Sequence, residues 1–464
     1  MFLVYMETAG NAIGSVFKLQ RVLSAGINER KELKMNTNTY AEDLLQLVEE
    51  GTSPFHVTAG VERQLVKAGF TKLSMGHDWS LDNGGRYYVV HNGSSLIAFT
   101  IGRKLQFGDS FRIAAAHTDF PGLRVKPSPE IVKDGYRQLN VEVYGGAILN
   151  TWLDRPLSAA GRAVLRSGDI FHPEVRLIDF RKPFLTIPNL AIHINRDVNK
   201  GVELNKQTDM LPVLSLSGEE PDEVYFRKYL AGELEVEPED ILEYELGLYN
   251  TDAGDFLGLS GEFISSPRLD NLTSVQAVVS GLIAGERESG FNVGAFFDHE
   301  EIGSRTKQGA GSVLFPAVLE RILLSYGRGR EKFFESFADS MMLSVDVGHA
   351  LHPNKADKND PTNKDILGKG ICIKEASGQS YATDSEAVAV MQQICEAEGI
   401  PYQKFVNRSD GTSGSTLGSI ASAFFPVRTV DVGVPLLAMH SSRELMGTAD
   451  QESLVRAVRA FYSL

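Results

Sequence analysis

Asn292-Val-Gly-Ala-Phe-Phe297 runs without a break into Asp298-His299-Glu300-Glu301. The first six residues are short and apolar, rich in branched or aromatic side chains, and show no polar alternation. That pattern suits a strand buried on both faces, as in an α/β sheet. The acidic tetrad that follows places chemistry at the strand's carboxyl end. The same arrangement recurs three times. Phe111–Ala116 leads into His117-Thr118-Asp119, and Met341–Val345 into Asp346-Val-Gly-His349. Val427–Val432 leads through a short loop to Met439-His440-Ser441-Ser442. Helix-length segments over 271–286 and 312–324 lie between these runs. The pattern predicts an α/β protein with a central mixed sheet flanked by helices. In open sheets of this kind, sites assemble beyond the carboxyl ends of the strands, where residues distant in sequence converge.

Working outward, residues 121–261 read differently. Strand-length pieces are separated by turn signals at Gly145-Gly146, Gly168-Asp169 and Pro188-Asn189, and a Glu-rich stretch spans 219–245. We read a β-rich insertion over 121–261 within a catalytic α/β domain formed by 35–120 and 262–464. Residues 1–34 form a separate extension, with Ile13, Val16, Phe17, Leu23 and Ile27 roughly on one helical face. It reads as a non-native start upstream of Met35 or, alternatively, as an amphipathic presequence or partner helix. Asn36-Thr-Asn-Thr then caps a helix carrying Leu44, Leu45, Leu47 and Val48.

The bulk numbers narrow the function. A length of 464 residues favours two domains or one large insertion. The net charge of −14 argues against nucleic-acid binding, which needs clustered Lys and Arg. No apolar run approaches the ~18 to 20 residues that span a bilayer. Cys372 and Cys395 form neither a disulfide framework nor a thiolate zinc site, and read as thiols of a reducing, cytoplasmic compartment.

His117, Asp346 and His440 follow buried strands, and Glu300-Glu301 follows a fourth. Asp270, in Ser-Pro-Arg-Leu-Asp-Asn-Leu-Thr, precedes a helix, so its carboxylate can project from a fixed backbone and bridge two ions. Imidazole and carboxylate suit divalent zinc or cobalt, and two-metal hydrolases hold their ions ~3.5 to 4 Å apart. Two adjacent glutamates repel, so a cation beside them is expected. One serves as ligand while its neighbour moves a proton between the attacking water and the leaving amine. Asp119, two residues beyond His117, is placed to return its carboxylate to the free imidazole N–H.

The motifs Ala116-His-Thr-Asp119, Arg268-Leu-Asp-Asn271, Asp298-His-Glu-Glu-Ile-Gly-Ser304, Ser344-Val-Asp-Val-Gly-His-Ala350 and Ala438-Met-His-Ser441 resemble those of the aspartyl aminopeptidase family, which includes the yeast vacuolar aminopeptidase. The resemblance spans about residues 35 to 464. It implies that His117 and Asp346 bind one metal, Glu301 and His440 the other, with Asp270 bridging and Glu300 as general base. It further implies that His193 reaches another subunit's active site, that His349 contacts substrate, and that Lys374 is a basic residue of the substrate pocket. Arg443 is a second candidate for that pocket. His299 departs from the family, which more often has Asn there. The implied assembly is a homododecamer built from dimers through the insertion. The implied cofactors are two divalent ions per subunit, zinc ahead of cobalt or manganese.

The resulting expectation is an aminopeptidase acting on peptides with acidic or neutral N-terminal residues. The alternatives are a dinuclear deacylase of small N-acyl amino acids, which needs the same ligands, and a non-enzymatic shell or cargo protein. The loop Asn407–Thr416 is rich in Gly and hydroxyls but lacks the Gly-Lys-Ser/Thr ending of a phosphate loop.

Overall fold

The structure is a computed structural model that describes residues 39–106, 109–217, 224–411 and 414–464. The extension over 1–34 and the cap expected at Asn36 lie outside the described residues. Two helices come first, α1 over 39–50 and α2 (Pro54–Lys67). Ser53 caps α2 by accepting the His56 N–H, and Pro54 opens its first turn with a preset φ. Strands β1 (Thr71–Lys72), β2 (Arg86–His91), β3 (Ser95–Ile101) and β4 (Phe111–His117) follow. Next come β5 (Gly122–Lys133), β6 (Tyr136–Tyr144), β7 (Leu157–Leu165), β8 (Glu174–Asp179), β9 (Val213–Leu216), helix α3 (Tyr225–Leu234) and β10 (Ile241–Asn250). The chain continues through β11 (Asp255–Leu257), β12 (Phe263–Ser266), α4 (Leu269–Ala284), β13 (Phe291–Phe297), α5 (Leu314–Ser325), α6 (Arg330–Glu335), β14 (Met341–Val345) and β15 (Gly348–His349). It closes with β16 (Ile371–Glu375), α7 (Ser385–Glu398), β17 (Tyr402–Val406), α8 (Leu417–Phe424), β18 (Arg428–Gly433), β19 (Pro435–Leu437), β20 (Glu444–Gly447) and α9 (Thr448–Ser463).

A nine-stranded mixed sheet runs β1-β2-β3-β13-β4-β14-β18-β16-β17. Its centre consists of the four strands expected from sequence, adjacent and parallel in the order β13, β4, β14, β18. Their carboxyl ends therefore open on one side. Side chains alternate between the faces, as a pleated strand requires. Phe291, Val293, Ala295 and Phe297 of β13 pack with α5, α6 and α8. Ala114 and Ala116 of β4 and Phe296 of β13 face the opposite layer, with α1, α2, α4, α7 and α9. Helices thus cover both faces.

Strands β5 to β10 make a separate six-stranded antiparallel sheet with its own core around Leu123, Leu139, Leu157, Phe226 and Leu246. A third sheet, β11-β12-β20-β19-β15, lies near the strand ends. Asp255–Leu257, on the insertion side of the expected boundary at 261, pairs with β12 in this third sheet.

Close approach of two backbones fixes one strand end. Asp346 donates its N–H to the Val432 carbonyl at 2.9 Å, and a Cβ at Gly433 would overlap the Asp346 carbonyl oxygen. Only glycine lets β18 pass there. Gly433→Ala is expected to lower stability by about 1–3 kcal/mol through overpacking. Chemical denaturation checks the effect.

Candidate metal centre

His117 is the last residue of β4, Glu300 and Glu301 lie in the turn after β13, and Asp346 follows β14. Asp270 stands at the start of α4 with φ −80° and ψ 107°, so its backbone is not yet helical, and the Asp270–Asn271 peptide bond is cis. His440 precedes β20. The five expected ligands, drawn from separate parts of the chain, meet at one point.

The meeting has two halves. His117 Nε2 lies 3.4 Å from Asp270 Oδ1 and 3.6 Å from Asp346 Oδ1. His440 Nε2 lies 3.2 Å from Asp270 Oδ2 and 3.4 Å from Glu301 Oε1. Asp270 thus turns one oxygen to each half. Ligand atoms of His117, Asp270 and Glu301 all fall within 4.8 Å of one another. Ligands ~2.0–2.1 Å from a tetrahedral ion lie about 3.3 Å apart, close to these separations.

The polar atoms also fit a cation. His117 Nδ1 is 3.0 Å from the Asp119 carbonyl and His440 Nδ1 is 3.2 Å from the Gly146 carbonyl. Carbonyl oxygens only accept, so each Nδ1 carries a proton and each Nε2 faces carboxylates. A neutral Nε2 lone pair aimed at carboxylate oxygens is repulsive unless positive charge lies between them. Asp270 Oδ1 is buried without a hydrogen-bond donor.

Electrostatics point the same way. Burial opposes charge on His117, yet Asp119, Asp270 and Asp346 outweigh it and hold its pKa well above the ordinary value. Burial likewise opposes charge on His440, but Asp270 carries it to about 9. Burial, partly offset by His117 and reinforced by Asp346, Asp119 and Asp270, pushes Glu300 up to about 8. Glu301 is raised well above its usual range by burial and by Asp270. A site so rich in carboxylate stabilises added positive charge.

Two buried carboxylates hold this arrangement from behind. Asp119 accepts the Glu300 and Glu301 N–H groups, both at 3.1 Å, and the Tyr144 hydroxyl at 2.7 Å. Its carboxylate is 3.4 Å from His117 Nδ1, farther than its own carbonyl. The carboxylate stands beside the imidazole as expected, and it also holds the Glu300–Glu301 turn. Glu444, which sequence reasoning did not select, accepts the Asp270 N–H at 3.0 Å and the His440 N–H at 2.8 Å. The only hint in sequence was an acid four residues after His440 at the head of an apolar strand. Tyr144 was likewise missed.

The remaining expected residues are placed as follows. His349 is exposed on β15 and lines a cleft with Phe405, Asn407, Arg408, Met439 and His440. It caps no helix. Lys374 is 1% exposed, with its ammonium 3.1 Å from the Val347 carbonyl and 3.8 Å from Asp346 Oδ2. It is thus packed behind Asp346 and absent from the cleft lining. His193 is exposed and does not join the centre of its own chain. Arg443 donates to Ser265 and to the Ala253 carbonyl, a structural role. His299 takes φ +63°, a region where Asn, Asp and His are enriched, and bonds Thr306. Both cysteines are buried and free.

The profile of the family described as Aminopeptidase I zinc metalloprotease (M18) matches residues 47–462. The chain belongs to this family. It is 44% identical over 431 residues to a probable M18 family aminopeptidase 2 of Clostridium acetobutylicum, covering 92% of this chain and 100% of the relative. A chain in the cryo-EM structure of the Ape4 and Nbr1 complex superposes with a TM-score of 0.89 at 35% identity, covering 92% of this chain and 86% of that one. The S. cerevisiae mApe1 dodecamer gives 0.79 at 25% identity, covering 92% and 97%. The protein is therefore a metal-dependent aminopeptidase, an exopeptidase of a zinc metalloprotease family with a mixed α/β fold.

Asp119→Asn puts an amide NH2 against one of the two N–H donors that Asp119 now accepts. It is expected to lower metal affinity or activity about 10–100-fold, and Tyr144→Phe by less than tenfold. Zinc titration of metal-stripped protein, together with kcat/KM, ranks the two variants.

Proposed function

We propose that this aminopeptidase releases N-terminal residues from peptides by means of two divalent ions per subunit, zinc ahead of cobalt or manganese. In this reading His117 and Asp346 hold one ion, Glu301 and His440 the other, and Asp270 bridges them. The observation that carries it is Asp270, whose Oδ1 faces His117 while its Oδ2 faces His440. When bound, such a pair polarises the scissile carbonyl and makes the attacking water more acidic.

The chain's own residues supply the rest. Glu301 is committed to His440, and its neighbour Glu300 is free to work as general base. It takes the proton of the attacking water and passes it to the departing amine. Asp119 grips both backbone N–H groups of that turn, so the base and the ligand keep fixed relative positions. The cleft lined by His349 and His440 receives the peptide. His193, exposed in its own chain, completes a neighbouring subunit's site and steadies the charge that develops on the carbonyl oxygen.

The first residue removed is acidic or neutral. Lys374 supports an acidic preference only indirectly, since its ammonium is taken up by Asp346 and the Val347 carbonyl. Lys358 and Arg408 also line the cleft, Arg408 paired with Asp410 at 2.6 Å. Assembly follows the mApe1 dodecamer, with residues 121–261 serving as the dimerisation domain. The compartment is the cytoplasm, where buried free thiols persist; among the described residues no helix is long and apolar enough to cross a membrane.

Glu300→Gln is expected to retain its ions by elemental analysis while kcat falls about 10²–10⁴-fold. Near-normal turnover in that variant would remove Glu300 from the mechanism. Free-amine aminoacyl anilides should be cleaved and their N-acetylated forms spared. Faster cleavage of the blocked compounds would point to a deacylase, and a panel of Asp, Glu, Leu and Ala substrates with defined metals ranks the preference.

A further inference from the structure

We propose that Glu444 is a positioning residue that sets the affinity of the Glu301–His440 half of the centre separately from the other half; the proposal rests on the two-ion reading above. Glu444 is 3% exposed and opens β20, where it pairs with Ser266 of β12. Its carboxylate thus springs from a sheet. One oxygen takes the N–H of Asp270 and the other the N–H of His440, residues 170 positions apart. Both oxygens are spent on backbone, so Glu444 shapes the centre through its ligands.

The residues it holds need holding. His440 sits at φ +68° and Ala438 at φ +57°, left-handed conformations that residues with a Cβ rarely adopt without surrounding support. Asp270 is non-helical at the start of a helix. A single carboxylate bridging the two N–H groups fixes the separation of Asp270 Oδ2 from His440 Nε2, the pair that defines the second half. The first half shares Asp270, but its own two members have other anchors. His117 ends a central strand, and Asp346 is bonded to Val432 of β18.

The carboxylate is specifically required. A glutamine has the same length, yet its NH2 would confront one of the two N–H donors, replacing a hydrogen bond with a donor–donor contact. Glu444→Asp keeps both acceptors on a shorter stem, so it stretches the bridge without abolishing it.

The test is stepwise zinc binding to metal-stripped full-length protein, by calorimetry with elemental analysis, on wild type, Glu444→Gln, Glu444→Asp and His440→Ala. Wild type should take up two ions. Glu444→Gln should keep one association constant within about twofold and lose tenfold or more on the other, the weakened step being the one that His440→Ala abolishes, with Glu444→Asp in between. Unchanged constants, or equal weakening of both steps in a folded variant, would overturn the proposal, because general loosening does not select one half. Should Glu444→Gln fail to fold, Glu444→Asp alone decides: selective weakening of the step that His440→Ala abolishes supports the proposal, and anything else overturns it. A wild type that binds one ion only would instead refute the two-ion reading itself.

Discussion

The constraint on which the structure depends is an excess of negative charge at the end of a sheet. Asp119, Asp270, Glu300, Glu301, Asp346 and Glu444 crowd together, and four of them are under a tenth exposed. In a low-dielectric interior such charges repel unless hydrogen bonds or cations compensate them. Asp119 and Glu444 each accept two backbone N–H groups. Lys374 compensates part of Asp346. Among the described residues, Asp270, Glu301 and the outer part of Asp346 face two imidazoles, which leaves room for divalent charge.

Position follows from that division of labour. Candidate ligands on strand ends are held by the parallel ladder, whose pairing continues from β13 through β4 and β14 to β18. Those on loops are held by side chains that accept backbone N–H groups. The six-stranded sheet adds a third means of support. Its Gly146 carbonyl meets His440 Nδ1, Ile148 donates to the His440 carbonyl, and Thr151 accepts the Ser442 N–H. A Cβ at Gly146 would stand 3.2 Å from His440 Nδ1, so a small residue allows that close approach. Residues 145–151 therefore help to build a site whose candidate ligands come from elsewhere.

The four central strands were legible because burial on both faces leaves an uninterrupted apolar run, and each was placed to within about a residue. Their following acids and histidines were legible for the same reason, since a charge directly after such a run is costly unless it has a task. Glu444 and Tyr144 were not legible. Glu444 holds Asp270, 174 residues away, as well as nearby His440, and Tyr144 holds Asp119, 25 away; the local pattern of a strand-end acid or tyrosine does not announce a long-range contact made by folding. Asp119 was selected for its place beside His117, but its second task was not legible, because the N–H groups it grips are more than 180 positions downstream.

Lys374 shows how the same residue type can act at one remove from a substrate. In Ile371-Cys-Ile-Lys374 it ends an apolar run, and sequence alone allowed a surface lysine or a pocket cation. The ladder between β16 and β18 places Lys374 opposite Asp431, and the ammonium lies beneath Asp346. Burial there disfavours its charge, but Asp346 and Asp431 overcome that cost and keep it protonated above its ordinary range. An ammonium so placed draws the Asp346 carboxylate toward β16, so its first effect is on how Asp346 faces His117. Any selection for an acidic first residue by this lysine must then act across Asp346, through the field.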